Sequence, residues 1–299
     1  MRRPMLMLLG GLLLAACREA APARPTPPPA PTPPSPPPTS QPGDDVARGA
    51  YLARIAACVE CHTPRTDSGA VDETKLMTGG IPFGGPWGVV HSADVAAVAA
   101  RFEPRVLEAA IRGQLAWKFQ MPTDLYATLA SEDLAAIVAW LRTLPSPEVA
   151  APDNQLRYDY RPPPPLPALP HPETAPAGVT VERGEYLTRI AICKDCHTPR
   201  KADGTYDEAH ALAGGGFRLK LPGGVWLTPP NLTPDVETGL GAWTDEEILT
   251  AMREGRARDG RPLHPAMPWA VAYNQMTDDD ARAIVKYLRA AQFAEGRAP

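Results

Sequence analysis

The sequence predicts an all-α protein in which two helical units follow each other along the chain. Two observations indicate this fold: a direct repeat, and an amphipathic helix pattern that closes each repeated unit. Residues 181–215 align with residues 46–80 without a gap, and about half of the aligned positions are identical. The 38 prolines among 299 residues are too many for helical cores. They concentrate in two segments, which we interpret as a tether and a linker.

The first residues are typical of an export signal. Arg2 and Arg3 precede an apolar stretch that runs from Met5 to Leu14 and is followed by small residues. The apolar stretch is too short for a stable membrane-spanning helix. We therefore predict a signal peptide over residues 1–16 and a periplasmic protein.

The residues that follow predict a lipid anchor on a tether. Leu-Ala-Ala-Cys, which ends at Cys17, resembles the bacterial lipobox and predicts that Cys17 is lipidated; an ordinary cleaved signal with an incidental cysteine is the alternative. Position 18 is Arg rather than Asp, which favours the outer membrane over the inner membrane. Residues 17–43 are rich in Pro, Ala, Thr and Ser, and we expect them to form an extended tether.

The first helical unit is predicted over residues 44–146. A helix is expected from Val46 to Cys58, and a second from Ser131 to Leu144 with one apolar face. A proline-rich linker over residues 147–179 follows. Its tyrosines, Tyr158 and Tyr160, suggest that part of it packs on a unit.

The second unit is predicted over residues 180–295. Thr244 and Glu247 form the sequence pattern of a capping box, which predicts a helix that ends near Glu254. A last helix is expected to begin near Asp278, with apolar residues at helical spacing.

Each unit contains the pattern Cys-x-x-Cys-His, which is the attachment pattern of a c-type haem. Two thiols at this spacing form thioethers with the porphyrin, and the adjacent imidazole supplies one axial ligand to the iron. A single Cys-x-x-Cys could also be half of a zinc site or a redox dithiol. Here both copies lie in the longer string C-x-x-C-H-T-P-R, so we predict two covalent haems. Their attachment residues are Cys58, Cys61, His62, Cys193, Cys196 and His197.

A methionine in each unit is the candidate for the second axial ligand. Met121 and Met267 each precede a proline and lie just upstream of the last helix of their unit. An iron with His and Met ligands is low-spin and carries electrons. Met276 is the rival of Met267, but its counterpart in the first unit is Leu129, which cannot bind iron. His91 is a further alternative ligand for the first haem.

These residues resemble tandem class I cytochrome c domains, and more closely the multihaem cytochrome c subunits of membrane-bound alcohol, gluconate and related dehydrogenases. The resemblance rests on G-x-Y-L and C-x-x-C-H-T-P-R in both units, and on N-L-T-P-D, G-x-W-T-D-E-E and A-M-P-W in the second. It implies electron transfer, His/Met ligation and a periplasmic location. Those subunits usually have three haem domains, whereas this chain has two and a predicted lipid.

The sequence therefore predicts a lipid-anchored periplasmic dihaem cytochrome c that accepts electrons from a dehydrogenase or carrier and passes them to a cytochrome or oxidase. We expect an electron carrier rather than an enzyme. The alternative is a dihaem oxidoreductase, peroxidase-like or acting on sulfur compounds, in which one haem is catalytic. A net charge of −4 gives no basic surface for nucleic acid, so no such partner is expected.

Overall fold

The structure is a computed structural model that describes residues 42–85, 87–116, 121–146, 152–216, 218–220, 224 and 226–290. The predicted signal peptide, the lipidation site Cys17 and almost all of the tether lie outside the described residues. Within the part that is described, no helix is both long and apolar enough to cross a membrane.

The first repeat is mostly helical. Its helices are α1 (Pro42–Ile55), α2 (Cys58–His62), α3 (Val95–Arg101), α4 (Pro104–Ile111), α5 (Thr123–Tyr126) and α6 (Ser131–Leu141), with a 3₁₀ turn at Glu73–Lys75. Strands β1 (Pro82–Gly85) and β2 (Gly88–His91) form an antiparallel hairpin, and β3 (Gln155–Leu156) of the linker pairs with β2.

The second repeat has the same plan. Its helices are α7 (Val181–Ile190), α8 (Cys193–His197), α9 (Asp245–Glu254) and α10 (Asp278–Ala290), with 3₁₀ turns at Glu208–His210 and Tyr273–Gln275. Strands β4 (Leu219–Lys220) and β5 (Trp226–Leu227) form a short antiparallel pair. The capping box is confirmed: Thr244 accepts from the Glu247 amide at the start of α9, and the Glu247 carboxylate accepts in return from the Thr244 amide.

The predicted helical fold is confirmed, and both repeats also contain short strands. Two predicted helix ends need correction. The helix expected from Val46 to Cys58 ends at Ile55, since Ala57 adopts a left-handed conformation with φ of 58° and starts a new helix at Cys58. The helix expected to reach Leu144 ends at Leu141.

In each repeat the first and last helices cross in close contact at a glycine. A Cβ atom added at Gly49 of α1 would lie 1.9 Å from the carbonyl oxygen of Ala136 in α6. One added at Gly184 of α7 would lie 1.9 Å from the carbonyl oxygen of Ala283 in α10. Only glycine allows the two helix backbones to approach this closely, so these two residues set the geometry of both repeats.

The helix crossings enclose a continuous apolar core. Residues 40–299 form one compact unit, so the two repeats share this core rather than forming separate bodies. Its fully buried members come from the crossing helices of both repeats, and include Leu52, Ile55, Leu134, Ile137, Leu187, Ile190 and Ile284. Burial of this apolar surface is the main favourable contribution to the stability of the fold.

The linker is attached to the first repeat by hydrogen bonds. Asn154 accepts from the His91 amide at 2.8 Å, and the Leu166 amide donates to the Gly113 carbonyl at 2.7 Å. Packing of the linker is thereby confirmed. Of the two tyrosines that suggested it, Tyr160 is half-buried, whereas Tyr158 is 93% exposed. Backbone pairing through β3, rather than an aromatic contact, holds this segment.

The helix crossing leads to a stability prediction. Gly49→Ala or Gly184→Ala should lower the free energy of unfolding by about 3 kcal/mol, because the added methyl group must push two helix backbones apart. Urea unfolding of each variant measures this change. Gly84→Ala is the matched control: nothing lies within 4 Å of a Cβ there, and its φ is not positive, so its stability should change by less than about 0.5 kcal/mol. Equal stability of all three variants would contradict the close crossing.

Candidate haem-binding sites

The Cys-x-x-Cys-His residues form one short helix in each repeat, α2 and α8. A residue in the left-handed conformation precedes each helix: Ala57 with φ of 58° and Ile192 with φ of 51°. This conformation is costly for a residue with a side chain, and above all for a β-branched one such as Ile192. Strained backbone of this kind clusters at functional sites, and here it turns the chain sharply into both cysteine segments.

The four cysteine residues are half-buried, and none of them is in a disulfide. Burial in the surrounding helices raises the pKa of Cys58, Cys193 and Cys196 to about 12 and that of Cys61 to about 11. A redox dithiol needs a lowered thiol pKa, since the thiolate is the reactive species. These thiols are therefore protonated at neutral pH, which disfavours the redox-dithiol alternative.

The two histidines are held by matching hydrogen bonds. The Nδ1–H of His62 donates to the carbonyl oxygen of Ala93 at 2.9 Å, and that of His197 donates to the carbonyl oxygen of Pro230 at 2.7 Å. Such a bond fixes the tautomer and leaves Nε2 as the nitrogen that can bind a metal. Burial lowers the pKa of both imidazoles, only partly opposed by these bonds, so each ring is in the neutral form that ligation requires.

The residues after each histidine repeat the same contacts. The buried hydroxyl of Thr63 accepts from the Met77 amide at 3.1 Å, and that of Thr198 accepts from the Leu212 amide at 3.0 Å. The carbonyl oxygen of each histidine accepts from a glycine amide, Gly79 in the first repeat and Gly214 in the second, at 2.8 and 2.7 Å. The Thr of the string C-H-T-P-R therefore fixes the backbone that follows each histidine.

An ion pair accompanies each cysteine segment. Arg65 contacts Glu60 at 2.5 Å, and Arg200 contacts Asp195 at 2.5 Å. In both repeats the acidic residue precedes the second cysteine, and the arginine is the last residue of the string C-x-x-C-H-T-P-R. The pair closes the segment into a loop, which explains why both copies end in arginine.

Two tyrosines support the sites and were not assigned this role from the sequence. The hydroxyl of Tyr126 donates to the Ala56 carbonyl at 2.7 Å, and that of Tyr273 donates to the Ala191 carbonyl at 2.6 Å. Both acceptors lie two residues before the first cysteine of their segment. The available signal was a Tyr shortly after Met-Pro in both units, five residues after Met121 and six after Met267.

The predicted methionine ligands lie at the start of the turn or helix that carries these tyrosines. Met121 and Met267 are both partly buried, and Met267 packs against the core. The rival Met276 is 2% exposed, and its counterpart Leu129 is 1% exposed. The two residues fill the same core position in the two repeats, which fits a packing role for Met276. Ligation by Met121 and Met267 stays a prediction.

His91 lies on strand β2. Its Nδ1 atom is buried and has no hydrogen-bond partner. The strand leads directly to Ala93, whose carbonyl orients His62. Its role as an alternative ligand stays a prediction. Among the described residues, no three His, Cys, Asp or Glu side chains are grouped so that they could hold a metal ion by themselves.

The residues of both segments suit a covalently bound haem c. Each offers two thiols at the attachment spacing and a neutral imidazole with a fixed tautomer on a rigid backbone. The second segment also contains the string Asn231-Leu-Thr-Pro-Asp, in which the Asn231 side chain accepts from the Thr233 amide at 2.8 Å. That turn directly follows Pro230, whose carbonyl orients His197.

Comparison with known proteins agrees with this chemistry. The family model described as cytochrome c matches residues 181–292. The chain is 27% identical to the fructose dehydrogenase cytochrome subunit of Gluconobacter japonicus, over 93% of this chain and 57% of that protein. It is 30% identical to the cytochrome c subunit of the quinone alcohol dehydrogenase of Gluconacetobacter polyoxogenes, over 82% of this chain and 55% of that protein.

A third relative is the gluconate 2-dehydrogenase cytochrome c subunit of Pantoea cypripedii, which is 28% identical over 82% of this chain and 59% of that protein. The chain thus spans a little over half the length of each of these relatives. The chain contains a cytochrome c domain at residues 181–292, and along most of its length it is similar to the cytochrome subunits of fructose, alcohol and gluconate dehydrogenases.

Proposed function

We propose that the chain is a dihaem cytochrome c that transfers electrons from a dehydrogenase or carrier to a downstream cytochrome or oxidase. The observation that carries the proposal is the match between the two histidine sites. The cytochrome c family model covers only the second repeat. His62 nevertheless has the same Nδ1–carbonyl bond as His197, and the same left-handed residue precedes its cysteine segment.

This match is more specific than the shared Cys-x-x-Cys-His pattern. Buried Thr63 and Thr198 accept the same backbone hydrogen bond, and Arg65 and Arg200 close the same ion pair. A repeat that had lost its cofactor would have no reason to retain a strained residue and a buried imidazole with a fixed tautomer. These shared contacts support the proposal that both repeats hold the same group.

In this proposal Cys58 with Cys61, and Cys193 with Cys196, hold the two porphyrins covalently. His62 with Met121 would bind one iron, and His197 with Met267 would bind the other. The bound haem supplies one-electron redox chemistry. The protein attaches the group, fixes the imidazole tautomer and limits access of water, and these features set the potential.

Three relatives are named as cytochrome subunits of dehydrogenases, and this supports a dehydrogenase as the electron donor. Export by the signal peptide, lipidation at Cys17 and the proline-rich tether would hold the cytochrome near a membrane in the periplasm. The outer membrane is the favoured one, because position 18 is Arg. Mass spectrometry of the mature N-terminus after membrane extraction tests the lipid.

Haem stoichiometry tests the function directly. The mature protein should carry two covalent tetrapyrroles, whereas Cys58→Ser with Cys61→Ser, or Cys193→Ser with Cys196→Ser, should leave one. Mass spectrometry of the denatured chain counts the tetrapyrroles, and reversible reduction of the native protein checks that both are redox-active. A mature chain with one tetrapyrrole would refute the dihaem proposal.

Replacing the methionines tests the axial ligands. Met121→Ala or Met267→Ala should lower the potential of one haem by more than roughly 100 mV, because axial-ligand identity spreads haem potentials over about 0.8 V. The same change should open that iron to carbon monoxide, as seen in optical spectra. Met276→Leu keeps the volume of a core residue and should leave both potentials unchanged. Unchanged spectra in both alanine variants would place the ligands elsewhere.

A further inference from the structure

Two tyrosines join the repeats by reciprocal hydrogen bonds. The hydroxyl of Tyr51 in α1 donates to Asp280 of α10 at 2.6 Å. The hydroxyl of Tyr186 in α7 donates to Asp133 of α6, also at 2.6 Å. Tyr51 aligns with Tyr186 in the repeat, and Asp133 and Asp280 occupy the same place near the start of the two last helices. Each repeat therefore donates one hydrogen bond to the other repeat and accepts one hydrogen bond from it.

Each carboxylate is also held inside its own repeat. The Nε–H of Arg48 donates to Asp133 at 2.7 Å, and that of Arg183 donates to Asp280 at 2.8 Å. Asp133 is fully buried and Asp280 is 8% exposed. Buried carboxylates need their full set of partners, because an uncompensated charge in the interior is costly. The tyrosine of the other repeat is one of these partners.

Each tyrosine hydroxyl accepts a bond as well as donating one. The Thr277 amide donates to Tyr51 at 3.3 Å, and the Ala130 amide donates to Tyr186 at 3.2 Å. Burial, and next the bond to Asp280, raises the pKa of Tyr51 to about 12. Burial, and next the charge of Asp133, raises the pKa of Tyr186 well above its usual value. Both phenols thus remain protonated donors at neutral pH.

These reciprocal hydrogen bonds resemble an isologous interface, in which two equivalent partners contact each other through the same surface. Here the partners are two repeats of one chain. A further contact also joins the repeats: Arg189 of α7 donates to Thr128, next to α5, at 3.2 Å. Two bonds related in this way fix both the separation and the rotation of the repeats.

Contacts at this interface link the two cysteine segments. Arg189, which bonds to Thr128, lies four residues before Cys193. Tyr126, two residues before Thr128, donates to the Ala56 carbonyl beside the first segment at 2.7 Å. The contacts that fix the interface therefore also fix the relation between the two attachment sites.

We infer that Tyr51 and Tyr186 are positioning residues that hold the two haem-attachment segments at a fixed separation and thereby set the rate of electron exchange between the haems. The inference rests on the proposed function, since it requires a haem at both sites. Neither tyrosine bonds to a cysteine or histidine of the attachment segments; their donor bonds go to Asp280 and Asp133.

The test uses the full-length protein with both haems and the double variant Tyr51→Phe, Tyr186→Phe. Phenylalanine keeps the ring but removes both hydroxyl donors. Each hydroxyl removed should increase the population of separated repeats by about tenfold, because it eliminates a hydrogen bond to a buried carboxylate. Faster amide exchange in α7 and α10 measures this opening. Electron equilibration between the haems after pulsed one-electron reduction should slow by several-fold.

Two control variants separate positioning from general stability. Thr244→Ala removes the N-cap of α9 inside the second repeat, so it should lower stability while leaving electron equilibration unchanged. Tyr158→Phe removes a hydroxyl from a tyrosine that is 93% exposed and should change neither measurement. The single variants Tyr51→Phe and Tyr186→Phe should have similar, smaller effects, because their bonds are equivalent.

Native electron equilibration in the double variant would overturn the inference, as would equal slowing by Thr244→Ala. The proposed function fails in a different way. A mature native chain with fewer than two haems, counted by mass spectrometry before any kinetic comparison, would refute the proposed function and the exchange role together. Two haems with an unchanged exchange rate would refute the positioning role alone.

Discussion

The close crossing of the first and last helices in each repeat determines the remaining geometry. Gly49 and Gly184 permit the crossing, because any side chain at these positions would collide with a carbonyl oxygen of the facing helix. With the helices this near, Arg48 reaches Asp133 and Arg183 reaches Asp280 inside each repeat. The crossing also packs the last helix of each repeat against the helix that leads into the cysteine segment. The cofactor site thus depends on a backbone contact distant from it in sequence.

This arrangement explains the repeated string R-G-x-Y-L residue by residue. The arginine neutralises a buried carboxylate of its own repeat, the glycine allows the helix crossing, and the tyrosine crosses to the other repeat. The leucine, Leu52 or Leu187, is fully buried in the core. The arginine and the glycine therefore serve packing within one repeat, the tyrosine joins the two repeats, and the leucine fills the core. Each position of the string has a different structural role, and this makes the string specific.

Local features of the structure were predictable from the sequence, and long-range ones were not. The capping box at Thr244 and the last helix from Asp278 follow from short-range patterns, and both are confirmed. The left-handed residues Ala57 and Ile192 give no sequence signal, because neither is glycine or asparagine. Strands β1 and β2 are short, and they belong to a three-stranded sheet only because β3 of the linker pairs with β2. The bond from Tyr51 to Asp280 joins residues 229 positions apart, which no local pattern encodes.

The two sites share one set of attachment residues but differ in what surrounds them. The backbone that orients His62 follows strand β2, which the linker braces through Asn154 and β3. The backbone that orients His197 leads instead into the turn formed by Asn231 and Thr233. Potentials of haems with the same ligands respond to hydrogen bonding and burial around the site. Because the contacts beside His62 and His197 differ, haems bound at the two sites would differ in potential. The linker therefore does more than join the repeats, because its contacts with β2 brace the backbone that leads to the Ala93 carbonyl, which orients His62.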